Sequence, residues 1–166
     1  MVRLTLETND YLDIELYETV APITVANFLK LVKEGFYDGL IFHRIIKDFM
    51  VQGGGFKIEN NGLIHMECPS IKGEFKSNGF DNKLKHTKGV ISMARTNVKD
   101  SASSQFFICT ADTPHLDGEY AAFGKIVGEE SFKTLDKLNE SRTERVNPYM
   151  TDFPYPYVII KKMEVL

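Results

Sequence analysis

Short runs of alternating apolar and polar residues recur along most of the chain, and helical periodicity interrupts them only twice. That pattern limits the fold more than any other feature, because strand side chains alternate faces whereas helical ones recur every three or four positions. Arg3 to Thr8 and Tyr11 to Tyr17 alternate on either side of Asn9-Asp10, through Leu4, Leu6, Leu12, Ile14 and Leu16, as a β-hairpin does. Pro22 then stands where a first helical turn accepts it, Val25, Phe28, Leu29 and Val32 recur at helical spacing, and Gly35 follows the last of them. A second helix is expected over Glu129 to Leu138, with Phe132, Leu135 and Leu138 on one side and acids in its first turn. Strand-like runs cover Phe42 to Ile46, Met50 to Gln52, Leu63 to Met66, Gly73 to Phe75, Val90 to Ala94, Phe106 to Thr110, Tyr120 to Val127 and Val158 to Val165. Pro148, Pro154 and Pro156 exclude a helix or a central strand between Val146 and Tyr157. No repeat, charge block or linker divides the chain, so residues 1–166 read as one mainly β domain. Closing about eight short strands into an antiparallel barrel capped by two helices removes exposed edges, although a sandwich fits the periodicity almost as well.

Several functions are disfavoured by what the chain carries. A net charge of -3 without a basic cluster gives no pull on nucleic acid phosphates. No apolar run reaches 18 residues and the first ten residues lack the apolar core of a signal peptide, so a cytoplasmic protein that does not enter a membrane is expected. Cys68 and Cys109 lack a CxxC spacing and read as buried small hydrophobes or free thiols, with a disulfide left open. His43, His65, His86 and His115 are scattered without the spacing of a metal site, so neither metal nor cofactor is expected. Ser101, Ser103 and Ser104 have no GxSxG elbow around them, and Gly53-Gly54-Gly55 lacks the lysine of a phosphate-binding loop and reads as a tight turn that ends its strand.

What remains is the stretch Phe42 to Gly55, where a guanidinium and an amide stand among strand-forming residues. Strict alternation puts Phe42, Arg44 and Ile46 on one face and His43 and Ile45 on the other, while Met50 and Gln52 share a face. A core strand with one snorkelling arginine would also explain this stretch. With Gln105, Phe107 and Leu116, the candidate set of Arg44, Phe49, Met50 and Gln52 supplies hydrogen-bond donors and apolar walls, with no acid, base or nucleophile.

Four separated motifs, Phe42-His43-Arg44-Ile45-Ile46, Phe49-Met50-Val51-Gln52-Gly53-Gly54, Ser104-Gln105-Phe106-Phe107-Ile108 and His115-Leu116-Asp117-Gly118 through Phe123-Gly124-Lys125, resemble the cyclophilins. Leu84-Lys85-His86-Thr87 before Gly89-Val90-Ile91-Ser92-Met93-Ala94 adds a fifth, and the short form is similar to the bacterial branch. The resemblance implies an eight-stranded antiparallel barrel with two helices, and with it peptidyl-prolyl cis-trans isomerase activity on proline-containing peptides and on unfolded or flexible protein segments. It makes Arg44 the match to the catalytic arginine, and Gln52 and Gln105 matches to positions near the substrate carbonyl. Phe49, Met50, Phe107 and Leu116 match the proline-ring pocket, and Ala94 and Arg95 the backbone segment that pairs with substrate. His43, His115 and Tyr120 join the substrate-binding set. His115 stands where the family often has tryptophan and Tyr120 where it has histidine, which implies weakened binding of cyclosporin. A monomer is expected, because no large apolar patch can be read from the pattern. A proline-peptide binding module or chaperone with incidental turnover is the competing reading, and Arg44 discriminates, since aromatic walls alone can hold proline.

Overall fold

Asn9 turns the first hairpin at a φ of 70°, in the left-handed region that asparagine tolerates better than most residues. It joins β1 (Val2–Leu6) to β2 (Tyr11–Leu16), and their alternating apolar residues Val2, Leu4, Leu12 and Ile14 are wholly buried. After α1 (Pro22–Lys33) come β3 (Ile41–Ile46), β4 (Met50–Glu59), β5 (Gly62–His65), β6 (Val90–Met93), β7 (Phe106–Cys109) and β8 (Ala122–Val127). Then follow α2 (Glu129–Asn139), the short β9 (Thr143–Glu144) and β10 (Phe153–Pro154), and the closing β11 (Val158–Val165). This computed structural model describes all 166 residues.

The strand order β3-β11-β1-β2-β8-β6-β7-β4 returns to β3 through the β3–β4 pairing, so eight antiparallel strands form a closed barrel. Closure decides between barrel and sandwich. β5 extends β4 beyond the ring, and β9 pairs with β10 in a separate ribbon. Val25, Phe28, Leu31 and Val32 of α1 and Leu135 and Leu138 of α2 enter the same core as the barrel strands, where Phe28 meets the rings of Tyr37, Phe106 and Phe123 at 5.1 to 5.7 Å. The N-terminus of α1 is capped from a distance: Glu74, wholly buried, accepts hydrogen bonds from the Thr24 N–H (2.6 Å), the Thr24 hydroxyl (2.7 Å) and the Ile23 N–H (3.2 Å).

Three local expectations change. Gly53, Gly54 and Gly55 lie inside β4 instead of ending it, because a Cβ at each would collide with a neighbour: the Ile41 carbonyl at 2.8 Å, the Phe106 ring at 2.8 Å and the Gln105 side chain at 2.5 Å. Gly73 to Phe75 forms no strand. Its backbone is satisfied by side chains, with Asp100 accepting the Gly73 N–H and Asn78 and Asn82 donating to the carbonyls of Gly73 and Glu74. Finally, Phe42 and Arg44 do not share a face. Phe42 pairs with Gly53 and Arg44 with Gln52, so His43 is the extra residue of a bulge that buries Phe42 and Ile45 and turns Arg44 outward. Both cysteines are free, Cys68 half-buried and Cys109 buried.

Candidate functional site

Alternation along β4 and β7 sorts their side chains between two environments. Val51, Phe106 and Ile108 enter the barrel core, whereas Met50, Phe107 and Cys109 emerge on the outer surface and join Leu116 in a second, smaller apolar cluster. Phe49, Ala94 and Tyr120 pack at its margin. The pocket above this cluster is lined by Arg44, Phe49, Met50, Gln52, Ala94, Arg95, Phe107, Leu116 and Tyr120. Four chain segments far apart in sequence, around residues 44–52, 94–95, 107 and 116–120, thus meet in one concavity, apolar at its base and carrying a guanidinium at its rim.

The polar rim is ordered. Arg44 donates from Nη1 to Gln52 Oε1 at 3.4 Å, and Gln52 donates from Nε2 to Gln105 Oε1 at 3.1 Å. Gln105 therefore acts from behind Gln52 instead of lining the pocket itself. The bulge at His43 is what turns Arg44 toward this rim. His43 is buried against the Phe56 ring at a centroid distance of 4.7 Å, outside the pocket lining, with its Nδ1 unpartnered. Burial, aided by the Arg44 charge, pushes the His43 imidazole down to about 4, so it is neutral at physiological pH. His115 is exposed with its ring 5.6 Å from that of Phe49 and also stands outside the lining. Arg95 spends its guanidinium on the Glu119 carbonyl (2.7 and 3.0 Å) and lies over the Tyr120 ring at 4.8 Å, bracing that wall. The Ala94 N–H donates to the Gln105 carbonyl.

The back of the pocket holds an arrangement that residue spacing does not reveal. The His86 ring stacks on Phe107 at 6.0 Å, its Nδ1–H donates to Asp117 Oδ1 at 3.0 Å, and Ser92 Oγ lies 2.9 Å from its Nε2. The trio has the partners of a nucleophilic triad, but Ser92 and His86 are fully buried and meet no substrate. Burial lowers the His86 pKa against the opposing pull of Asp117, and Asp117 itself is held below the usual carboxylate range by the His86 bonds despite its own partial burial. The trio holds Phe107 from behind. In the sequence its members appear only inside the Leu84-to-Ala94 and His115-to-Gly118 motifs, with nothing to mark them as a trio. The pocket itself presents no carboxylate, thiol or imidazole, so its chemistry is non-covalent: it can seat a small apolar ring and direct hydrogen bonds from Arg44 at what lies beside that ring.

A family described as cyclophilin type peptidyl-prolyl cis-trans isomerase/CLD matches residues 1–165. Among curated relatives, a peptidyl-prolyl cis-trans isomerase A of Dickeya dadantii is 41% identical over 160 residues, covering 93% of this chain and 79% of its own. A peptidyl-prolyl cis-trans isomerase of Helicobacter pylori is 42% identical over 143 residues, covering 82% and 80%. A crystal structure of a Cryptosporidium parvum cyclophilin type isomerase in the presence of the dipeptide Ala-Pro superposes with a TM-score of 0.80 over 99% of this chain and 98% of the other, at 29% identity.

Proposed function

The chain belongs to the cyclophilin-type peptidyl-prolyl cis-trans isomerases, and from that premise we propose that Arg44 accelerates rotation about X-Pro bonds by stabilising the twisted prolyl amide. Rotation is slow because amide resonance raises a barrier of about 18 to 20 kcal/mol. A donor placed on the prolyl nitrogen favours the pyramidal nitrogen of the twisted state, in which resonance is lost, and so binds that state better than either planar isomer. Shortening tens of seconds to milliseconds requires about four decades, or roughly 5.5 kcal/mol. One charge-assisted hydrogen bond in a partly dry groove, together with orientation, is of that order. The proline ring sits on Met50, Phe107 and Leu116, walled by Phe49, and Gln52 holds the guanidinium fork in the plane of approach.

The observation that carries this reading is the outward turn of Arg44 over the second apolar cluster, with Gln52 as its partner. It favours an enzyme over a pure proline-binding module, which needs the walls but not the guanidinium. The test is an NMR exchange assay on an Ala-Pro tetrapeptide. Arg44→Ala is expected to lower kcat/KM by about 10²-fold, as loss of one transition-state donor does elsewhere. A full rate in Arg44→Ala would sink the mechanism, and tight proline-peptide binding without turnover in the wild type would favour the binding module.

The substrates proposed are unfolded or flexible segments, in which X-Pro bonds are accessible. The two free cysteines fit a reducing compartment, which supports a cytoplasmic location. Closure of the barrel, which leaves only the short β5 at the end of the sheet, supports a monomer.

A further inference from the structure

A second depression opens beside the proline pocket, and Arg44 lines both. The row Arg44–Gln52–Gln105 is the sill between them. Beyond the sill, Phe56 and His43 line the depression, and the turn Tyr149 to Asp152 walls it. This turn is tied down. Asn147 Oδ1 accepts the N–H groups of Tyr149 and Met150 at 2.8 and 2.9 Å, and the Asp152 carbonyl accepts the Ile45 N–H at 3.0 Å, on the same strand as Arg44.

The surface continues past Phe56 along the β4–β5 hairpin. His65 stands opposite Phe56, with their rings 5.0 Å apart, and Leu63 stands opposite Ile58, so these four side chains share one face. Ile58 and Leu63 face Val146, Tyr155 and Tyr157 across a third depression. Of the eleven large apolar residues exposed on the molecule, six lie on β5 or between Val146 and Tyr157. Tyr149 alone is 96% exposed. Isolated exposed apolar residues are ordinary, but a concentration of them beside an active groove marks a binding surface.

We propose that this surface binds the substrate chain itself, as a secondary subsite of the isomerase groove described above, on which reading it depends. The polypeptide whose X-Pro unit fills the Arg44 pocket crosses the sill and lays a large apolar or aromatic side chain on Phe56, Ile58 and Leu63, beside Tyr149. Continuity selects this occupant, because Arg44 lines both concavities while the hydrogen-bonded Gln52 and Gln105 line one each. Reach agrees with it: Gln52 to Ile58 spans about 20 Å of strand at most, or four to six residues of extended peptide. Tyrosines suit such a surface because they offer a broad contact area while losing little rotamer freedom. The substrate class is therefore flexible chain carrying an apolar anchor four to six residues from the proline.

The test compares peptides with one Ala-Pro centre, followed by NMR exchange: a tetrapeptide, long peptides with Phe four to six residues to either side of the proline, and the same long peptides with Ser instead. The Phe peptide of one polarity is expected to show kcat/KM raised about tenfold over its Ser control, mainly through KM, the low end of what burying one aromatic side chain yields. Tyr149→Ala combined with Leu63→Ser, both at exposed positions, removes that gain and leaves the tetrapeptide rate unchanged. Equal rates for Phe and Ser peptides in the wild type, or a gain that survives the double substitution, overturns the subsite. Absence of catalysis on the tetrapeptide in the wild type overturns instead the isomerase reading on which it rests.

Discussion

His43 occupies the extra position of the β3 bulge, and its neutrality couples folding to pH. Its folded pKa of about 4 lies below the ordinary imidazole value of 6.5, so between those values the unfolded chain binds more protons than the native one. Stability is therefore fully present above about pH 6.5 and falls as the pH drops toward 4, by up to about 1.4 kcal/mol per pH unit for this group. The buried His86 is lowered in the same direction by its burial and so adds a loss of the same sign as the pH falls. Urea midpoints measured from pH 7 to 4 are expected to decline in the wild type and to decline less steeply in His43→Phe, which keeps the ring on Phe56 and removes the unpartnered nitrogen. His115 carries a different expectation. Its exposed imidazole beside Phe49 offers less apolar surface than an indole would. We expect His115→Trp to tighten cyclosporin binding about tenfold in a competition titration with little change in turnover, and undiminished wild-type affinity relative to the variant would contradict that.

β4 is the element on which both sides of the molecule depend, since its alternate residues feed the core and the groove. Its three glycines allow β3 and β7 to approach closely, and they are not equivalent. At Gly53 a Cβ would press on the Ile41 backbone carbonyl, which cannot yield, so Gly53→Ala is expected to cost about 1 to 3 kcal/mol in stability by chemical denaturation. At Gly55 the obstacle is the Gln105 side chain, which can swing away. Gly55→Ala should accordingly stay folded but lose the Gln52–Gln105 bond and with it the order of the rim. A drop of about three- to tenfold in kcat/KM on the Ala-Pro tetrapeptide is the expected result, in line with one neutral hydrogen bond. If Gly55→Ala unfolds as readily as Gly53→Ala, the distinction between yielding and unyielding neighbours is wrong. α1 illustrates the same dependence at longer range, because its N-terminal amides are satisfied by Glu74, fifty residues away.

Taken as a whole, the molecule is a closed ring with one appendage, the β4–β5 hairpin and the Val146-to-Tyr157 segment beside it, and its exposed apolar residues gather there. Sedimentation equilibrium is expected to give a single species near 18.9 kDa. A concentration-dependent dimer abolished by Tyr149→Ala and Leu63→Ser would assign that surface to a second copy and contradict both the monomer and the substrate subsite. Most of the barrel was legible in the chain, because half-buried strands and amphipathic helices write their periods directly into the apolar pattern: β1, β2, α1, α2 and β11 lie where alternation and helical spacing put them. The wall and donor residues of the pocket were legible through motifs, whose side chains are constrained by what they touch. Which residues alternate, where prolines forbid a ladder, and that Arg44 stands among strand formers all follow from residue order alone. That the sheet closes, that the glycine run continues β4, and that Arg44 faces out depend instead on how the strands pair and pack. A bulge shifts the phase of a strand by one residue without altering its composition, and the register responsible exists only once β3 has paired with β4.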